Sequence, residues 1–207
     1  PLSAPAIIIT QTTSAILVDT QVARFQLNTQ AFNLFDQVWV DRDGDGAVDD
    51  ALLSSSEGPV ITQGSETFRA ALGPVDEAVV ELAGPLHSVV RIRGRHANLS
   101  GELLLAYTAR LHFYAGAGAV RVFYGVWNDR PLANSGLGQP DIIAFGSPNS
   151  IVFDDLALEL TLAASAPLTY TLDQWQGALT TTATLYQDSS GGPQWHHPTL
   201  AGETTFR

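Results

Sequence analysis

The chain has 207 residues, and its 21 acidic against 10 basic side chains leave a formal net charge of −11, which excludes nucleic acid as the default partner because neutralising phosphates needs a basic footprint. Cysteine and methionine are absent and every basic residue is arginine. Disulfides, thiolate nucleophiles, zinc–thiolate sites, Schiff-base lysines and lysine phosphate cradles are excluded with them.

A hydrophobic fraction of 45% against 15% charged residues supplies a core and argues against a disordered chain. Apolar residues recur at period two along most of the sequence, and no stretch repeats them at i, i+3, i+4 and i+7, so the expected fold is all-β. In chain order the pattern predicts strands at Ile7–Thr10, Ala15–Asp19, Val22–Leu27, Phe35–Val40, Thr67–Leu72, Ala78–Leu82, His87–Arg95, Leu103–Tyr114, Ala119–Asn128, Ile151–Leu162, Thr169–Leu172 and Ala183–Tyr186. Gly, Pro, Asp and Asn clusters separate most of them.

The pair Leu103–Tyr114 and Ala119–Asn128, joined by Ala115-Gly116-Ala117-Gly118, reads as an antiparallel hairpin. Tyr107, Ala109, Leu111 and Phe113 then share one face, and Thr108, Arg110, His112 and Tyr114 the other. One apolar face per strand suits an antiparallel barrel or sandwich, with two β lobes packed together. The expected division is an N-terminal extension over 1–14, a barrel-like lobe over 15–82 and a sandwich lobe over 83–207. Residues 131–148 and 188–198 are rich in turn formers and read as long loops, the first with a short apolar insertion at Ile142–Phe145.

The most specific chemical signal is Asp41-Arg42-Asp43-Gly44-Asp45-Gly46-Ala47-Val48-Asp49-Asp50. Carboxylates at positions one, three and five with glycine at six suit a hard cation held by oxygens from one tight turn. Asp41, Asp43, Asp45, Asp49 and Asp50 are the expected ligands of a structural Ca2+. Position twelve is Leu52 rather than Glu and the loop follows a strand, so it is no EF-hand. Asp and Gly are also the residues of an ordinary metal-free hairpin turn.

Arg91, Arg93 and Arg95 alternate along one strand and could meet sugar carboxylates through paired hydrogen bonds, or form an ion-paired outer face. Trp175 and Trp195, with Tyr186 and His196–His197 nearby, could stack on sugar rings or close the end of a sandwich. Asn98-Leu99-Ser100 fits a glycosylation sequon. No GxSxG or HExxH motif occurs, and His112 beside Arg110 and Tyr114 reads as a core or interface histidine before an acid–base group, so the chain is expected not to be an enzyme.

Three phrases in order, FNLFDQVWVDRDGDG at 32–46, AGPLHSVVRIRGRH at 83–96 and YTARLHFYAGAGAVRVFYGVWND at 107–129, carry a family resemblance. Over roughly residues 15–162 the chain resembles the N-terminal barrel and the start of the central β-sandwich of bacterial exo-rhamnogalacturonan-lyase-like proteins, multidomain carbohydrate-active enzymes. The resemblance implies a β architecture and an extracellular, sugar-related setting; the helical toroid of that family has no counterpart in this pattern.

Two functions are expected from these readings. The first is a non-catalytic, calcium-stabilised structural protein of the cell exterior that associates with itself: Ile7, Ile8 and Ile9 follow two prolines and could donate a strand to another copy's sheet edge, building an oligomer or filament. The second is a carbohydrate-binding module for acidic polysaccharides, related to polysaccharide lyases. A start at Pro1 without methionine is expected of a processed chain or a fragment, and no apolar run approaches the length of a membrane-spanning helix.

Overall fold

The computed structural model describes residues 6–130 and 151–163, together with the backbone of four short strands further on, at Leu168–Leu172, Trp175–Leu179, Leu185–Tyr186 and Thr204–Thr205. Among the described residues there is no helix. The chain divides into two compact units, 1–163 and 164–207.

In the first unit, β1 (Ile8–Gln11), β2 (Ala15–Asp19), β3 (Ala23–Asn28), β4 (Gln37–Val40) and β5 (Asp50–Ala51) form an antiparallel meander in chain order. The other strands are β6 (Leu53–Gln63), β7 (Glu66–Arg69), β8 (Val75–Ala83), β9 (His87–Ala97), β10 (Leu103–Tyr114), β11 (Val120–Trp127) and β12 (Asp155–Leu162). They make a second antiparallel sheet in the order β11-β10-β9-β7-β6-β12, with β8 also paired to β9. The change of sheet falls at Leu52. The second sheet curls until its end strands β11 and β12 line one apolar cavity of about 200 Å³, with Val122 and Tyr124 on one wall and Leu156, Ala157 and Leu158 on the other.

Alternation decides which side chains fill the space between the sheets. β2 and β3 bury every second residue, sending Ile16, Val18, Phe25 and Leu27 inward to meet Val90, Ile92, Tyr107, Ala109, Leu111 and Phe113 from β9 and β10. Phe25 packs on Phe35 and Phe113 with ring centroids about 5.5 Å apart. The face predicted for Tyr107, Ala109, Leu111 and Phe113 is the buried one, and the hairpin forms as expected, Phe113 opposite Val120 and Ala106 opposite Trp127.

The largest difference from the expected elements is β6, an 11-residue strand in a segment whose Ser54-Ser55-Ser56 run and Gly58-Pro59 step break the alternation. The strand accommodates Pro59, which has no N–H, because its carbonyl still accepts from Ala70 N at 3.0 Å. The long β9 and β8 extend beyond their predicted limits, and β12 begins at Asp155 rather than Ile151. The loop predicted over 131–148 and the one over 188–198 lie outside the described residues.

The core holds a polar cluster that the hydrophobic pattern does not announce. His96 is fully buried; its Nδ1 donates to Leu105 O at 2.9 Å, and its Nε2 accepts from Tyr124 Oη at 2.7 Å. Burial holds the imidazole below its ordinary pKa and pushes the Tyr107 and Tyr124 phenols up. Tyr107 stacks between Phe32 and Tyr124, each at 5.5 Å, yet its hydroxyl has no partner among the described residues. A buried, unsatisfied hydroxyl costs more than it returns. Tyr107→Phe is therefore expected to raise stability by about 1 kcal/mol in urea unfolding; a clear loss would show that the hydroxyl is satisfied.

Candidate functional site

The solvent-facing side of the sheet β8–β11 is built by the same alternation that fills the core. On β9 the inward residues Val90 and Ile92 leave Arg91, Arg93 and Arg95 outward; on β10 the outward set is Thr108, Arg110, His112 and Tyr114; on β11 it is Arg121, Phe123, Gly125 and Trp127. Register aligns these into rows: Arg91, Arg110 and Phe123 lie side by side, as do Arg93, Thr108 and Gly125.

The three predicted arginines are not equivalent. Arg91 donates to Glu81 and Glu77, both at 3.0 Å, and Glu81 also takes Arg110 at 2.8 and 3.3 Å. The hydrogen bond from Arg110 is the main cause holding the Glu81 carboxyl below its usual range, and Glu81 in turn raises Arg110. Arg95 makes a two-pronged pair with Asp129. Arg93 has only a 3.8 Å approach to Glu77, its side chain is 51% exposed, and its guanidinium lies 6.0 Å from the centroid of Trp127.

The strand beside them carries the features that were not expected. Phe123 and Trp127 are 53% and 38% exposed, large values for side chains of their hydrophobicity. Between them a Cβ added at Gly125 would meet no atom within 4 Å, so the glycine leaves an open depression between two rings. Arg121 lies 5.8 Å from the Phe123 centroid and has no ion-pair partner among the described residues. Phe123, Gly125, Trp127 and Arg121 thus make an aromatic, cationic strip about 20 Å long on an extended strand, with Arg93 alongside.

At one end of the strip the rings continue as a stack. Tyr114 lies nearly parallel to His87 at 4.8 Å, His87 faces His112 at 5.2 Å, and Phe123 meets His112 edge-on at 5.2 Å. Burial, with smaller contributions from His87, Arg121 and Arg110, keeps His112 below the ordinary imidazole pKa.

Trp175 opens a strand of the second unit whose side chains lie outside the described residues, and Trp195 and His196–His197 lie outside them altogether. Ile8 and Ile9 sit in β1, paired in register with Asp19 and Val18 of β2, and Ile7 N donates to Pro85 O at 2.8 Å. The segment with a donor strand's composition is thus paired within its own chain. Asn98 is buried; its amide donates to Glu66, and its oxygen accepts from Ser100 and Glu102, so the sequon does not present a free amide.

The Asp-rich segment is the loop between β4 and β5. Gly44 and Gly46 adopt φ +79° and +90°, conformations that glycine permits. Oxygens of Asp41, Asp43 and Asp50 lie within 4.8 Å of one another, a group that could hold a metal ion; Asp45 and Asp49 are not in it. Most of these carboxylates also cap backbone N–H groups: Asp41 accepts from Gly44 and Gly46, Asp50 from Arg42, and Asp45 from Ala47.

A family model, that of the PcRGLX-like protein central beta sandwich domain, matches residues 7–138. No curated protein matches the sequence.

Proposed function

Since the chain belongs to the family of PcRGLX-like central β-sandwich domains, we propose that it is an extracellular, non-catalytic carbohydrate-binding module that takes acidic polysaccharides on the outer face of β9–β11. The observation that carries this reading is the pairing of exposed rings with cations that carboxylates hold loosely, in Arg93, or not at all among the described residues, in Arg121. Sugar rings stack their apolar faces on aromatic side chains, and arginine forms paired hydrogen bonds with carboxylates. Phe123 and Trp127 supply the first, and Arg93 and Arg121 the second. Arg91 and Arg95, already held by carboxylates, serve to brace the face.

This reading has more support than self-association through Ile7, Ile8 and Ile9, because those residues are already engaged by β2 and Pro85. Titration calorimetry with a uronate-bearing polysaccharide, and with a neutral glucan as comparison, tests it. Binding to the acidic polymer that weakens as salt rises is expected, since exposed charges are screened; no heat with any acidic glycan would remove the proposal.

The Asp41, Asp43 and Asp50 group supports a second, structural role. Three carboxylates in one turn suit Ca2+, a hard cation that takes six to eight oxygens, with the remaining ligands from backbone or water. Calcium at about 100 times its dissociation constant would add about 2.7 kcal/mol, raising the melting temperature by several degrees over that in chelator. Asp43→Asn is expected to remove the rise. A melting temperature indifferent to millimolar calcium would leave the loop as a capped turn.

A further inference from the structure

The ring stack at the end of the outer face contains two imidazole nitrogens already brought together: His87 Nε2 and His112 Nδ1 are 3.0 Å apart. We infer that His87 and His112 form a two-imidazole site for a divalent transition-metal ion of square-planar or tetragonal preference, Cu2+ foremost and Ni2+ next. The inference is independent of glycan binding.

The geometry favours that class of cation. With metal–nitrogen bonds of about 2.0–2.1 Å, two ligands in adjacent positions of a square plane are separated by about 2.9 Å, whereas tetrahedral ligands stand about 3.3 Å apart. The observed separation of 3.0 Å matches the former. Both rings are held in place by packing, His87 under the parallel face of Tyr114 and His112 against the edge of Phe123. Little side-chain ordering then remains to oppose binding. Imidazole is a good ligand for copper and nickel, and copper stands highest in the divalent series.

In the free protein one of the two nitrogens donates its proton to the other. A bound ion takes the place of that shared proton, which passes to the donor ring's other nitrogen, so both rings act as neutral ligands and the neutral pair releases no net proton. The surrounding charge sets an upper limit on affinity. Arg110 is paired with Glu81, which it shares with Arg91, and Arg121 stands directly opposite His112 on β11; both guanidinium groups repel a cation. The remaining coordination positions are left to water.

Calorimetric titration of the full chain with CuCl2, followed by electron paramagnetic resonance to count bound nitrogens, tests the inference. Because His196 and His197 are adjacent in sequence, the titration is done in a His196→Ala, His197→Ala background. One Cu2+ per chain with two imidazole nitrogens is expected, His112→Ala and His87→Gln each weakening binding by roughly tenfold or more. Arg121→Gln, which removes one opposing charge and leaves both ligands in place, is expected to tighten it. Copper affinity unchanged by either histidine substitution, or no copper bound at neutral pH, would overturn the site.

Discussion

Trp127→Ala is expected to weaken binding of an acidic polysaccharide by about 30-fold, close to 2 kcal/mol, while leaving the fold intact. The indole is 38% exposed at the end of β11, so its removal opens no cavity in the core. What is lost is the stacking surface and the ring under the Arg93 guanidinium; an arginine without that support samples more rotamers and loses more entropy on binding a carboxylate. Arg93→Ala should cost about tenfold, on acidic glycans alone and with a reduced salt dependence. Gly125→Val gives a sharper separation of binding from folding. A Cβ there meets open space and a β-branched residue suits a strand, so stability should hold or rise while the depression between Phe123 and Trp127 is filled. Unchanged affinity in both Trp127→Ala and Gly125→Val, measured by calorimetry on folded protein, would show that sugar does not lie on this strip.

Much of this platform is legible in the sequence. The hairpin from Leu103 to Asn128 is set by its short glycine-bearing connection, and the inward set Tyr107, Ala109, Leu111 and Phe113 follows from period two alone. Carrying that register across the turn would have placed Arg121 beside His112 and Phe123 beside Arg110, and so Phe123 and Trp127 outward, Tyr124 inward. The spacing of Arg91, Arg93 and Arg95 is equally legible, but their partners are not local: Glu77 and Glu81 come from β8, and Asp129 from beyond β11. Ion pairing between strands depends on sheet order, which one strand's sequence does not contain.

The Asp loop shows the same limit from the other side. Its position in a turn between two strands was readable from Asp and Gly preferences, but which carboxylates converge depends on the φ values of Gly44 and Gly46. These bring Asp41, Asp43 and Asp50 together and leave Asp45 and Asp49 apart. The inward-facing trio of His96, Tyr107 and Tyr124 is hidden because β9, β10 and β11 present these residues on a face that otherwise reads as apolar. Only the register that puts Tyr107 opposite Gly94 reveals why one ring fits there.

Gly58→Ala is expected to destabilise the first unit by about 3 kcal/mol, a fall of roughly 6–12 °C in melting temperature. Two separate constraints meet at this residue. Its φ is +71°, which costs an L-residue about 1–2 kcal/mol, and an added Cβ would stand 2.6 Å from the backbone of Asn33, closer than packed atoms approach. Asn33 cannot easily withdraw. Its carbonyl accepts from Ser56 Oγ, its amide donates to Asp36 at 2.8 Å, and the next residue, Leu34, is buried with φ +70°. The turn at Asn33–Leu34 is therefore pinned against β6, and the absent side chain at Gly58 is what lets the first sheet's connection lie against the second sheet. Across the strand, β12 shifts register between Glu159 and Leu160, opposite this point, so the irregularity spreads to the cavity wall that β12 provides. Gly64→Ala isolates the backbone component: Gly64 has φ +60° with no atom near its would-be Cβ and should cost only about 1 kcal/mol. Equal losses for the two substitutions in urea unfolding would mean that the close approach of Asn33 contributes nothing, and that conformational strain alone sets the value of glycine at this junction.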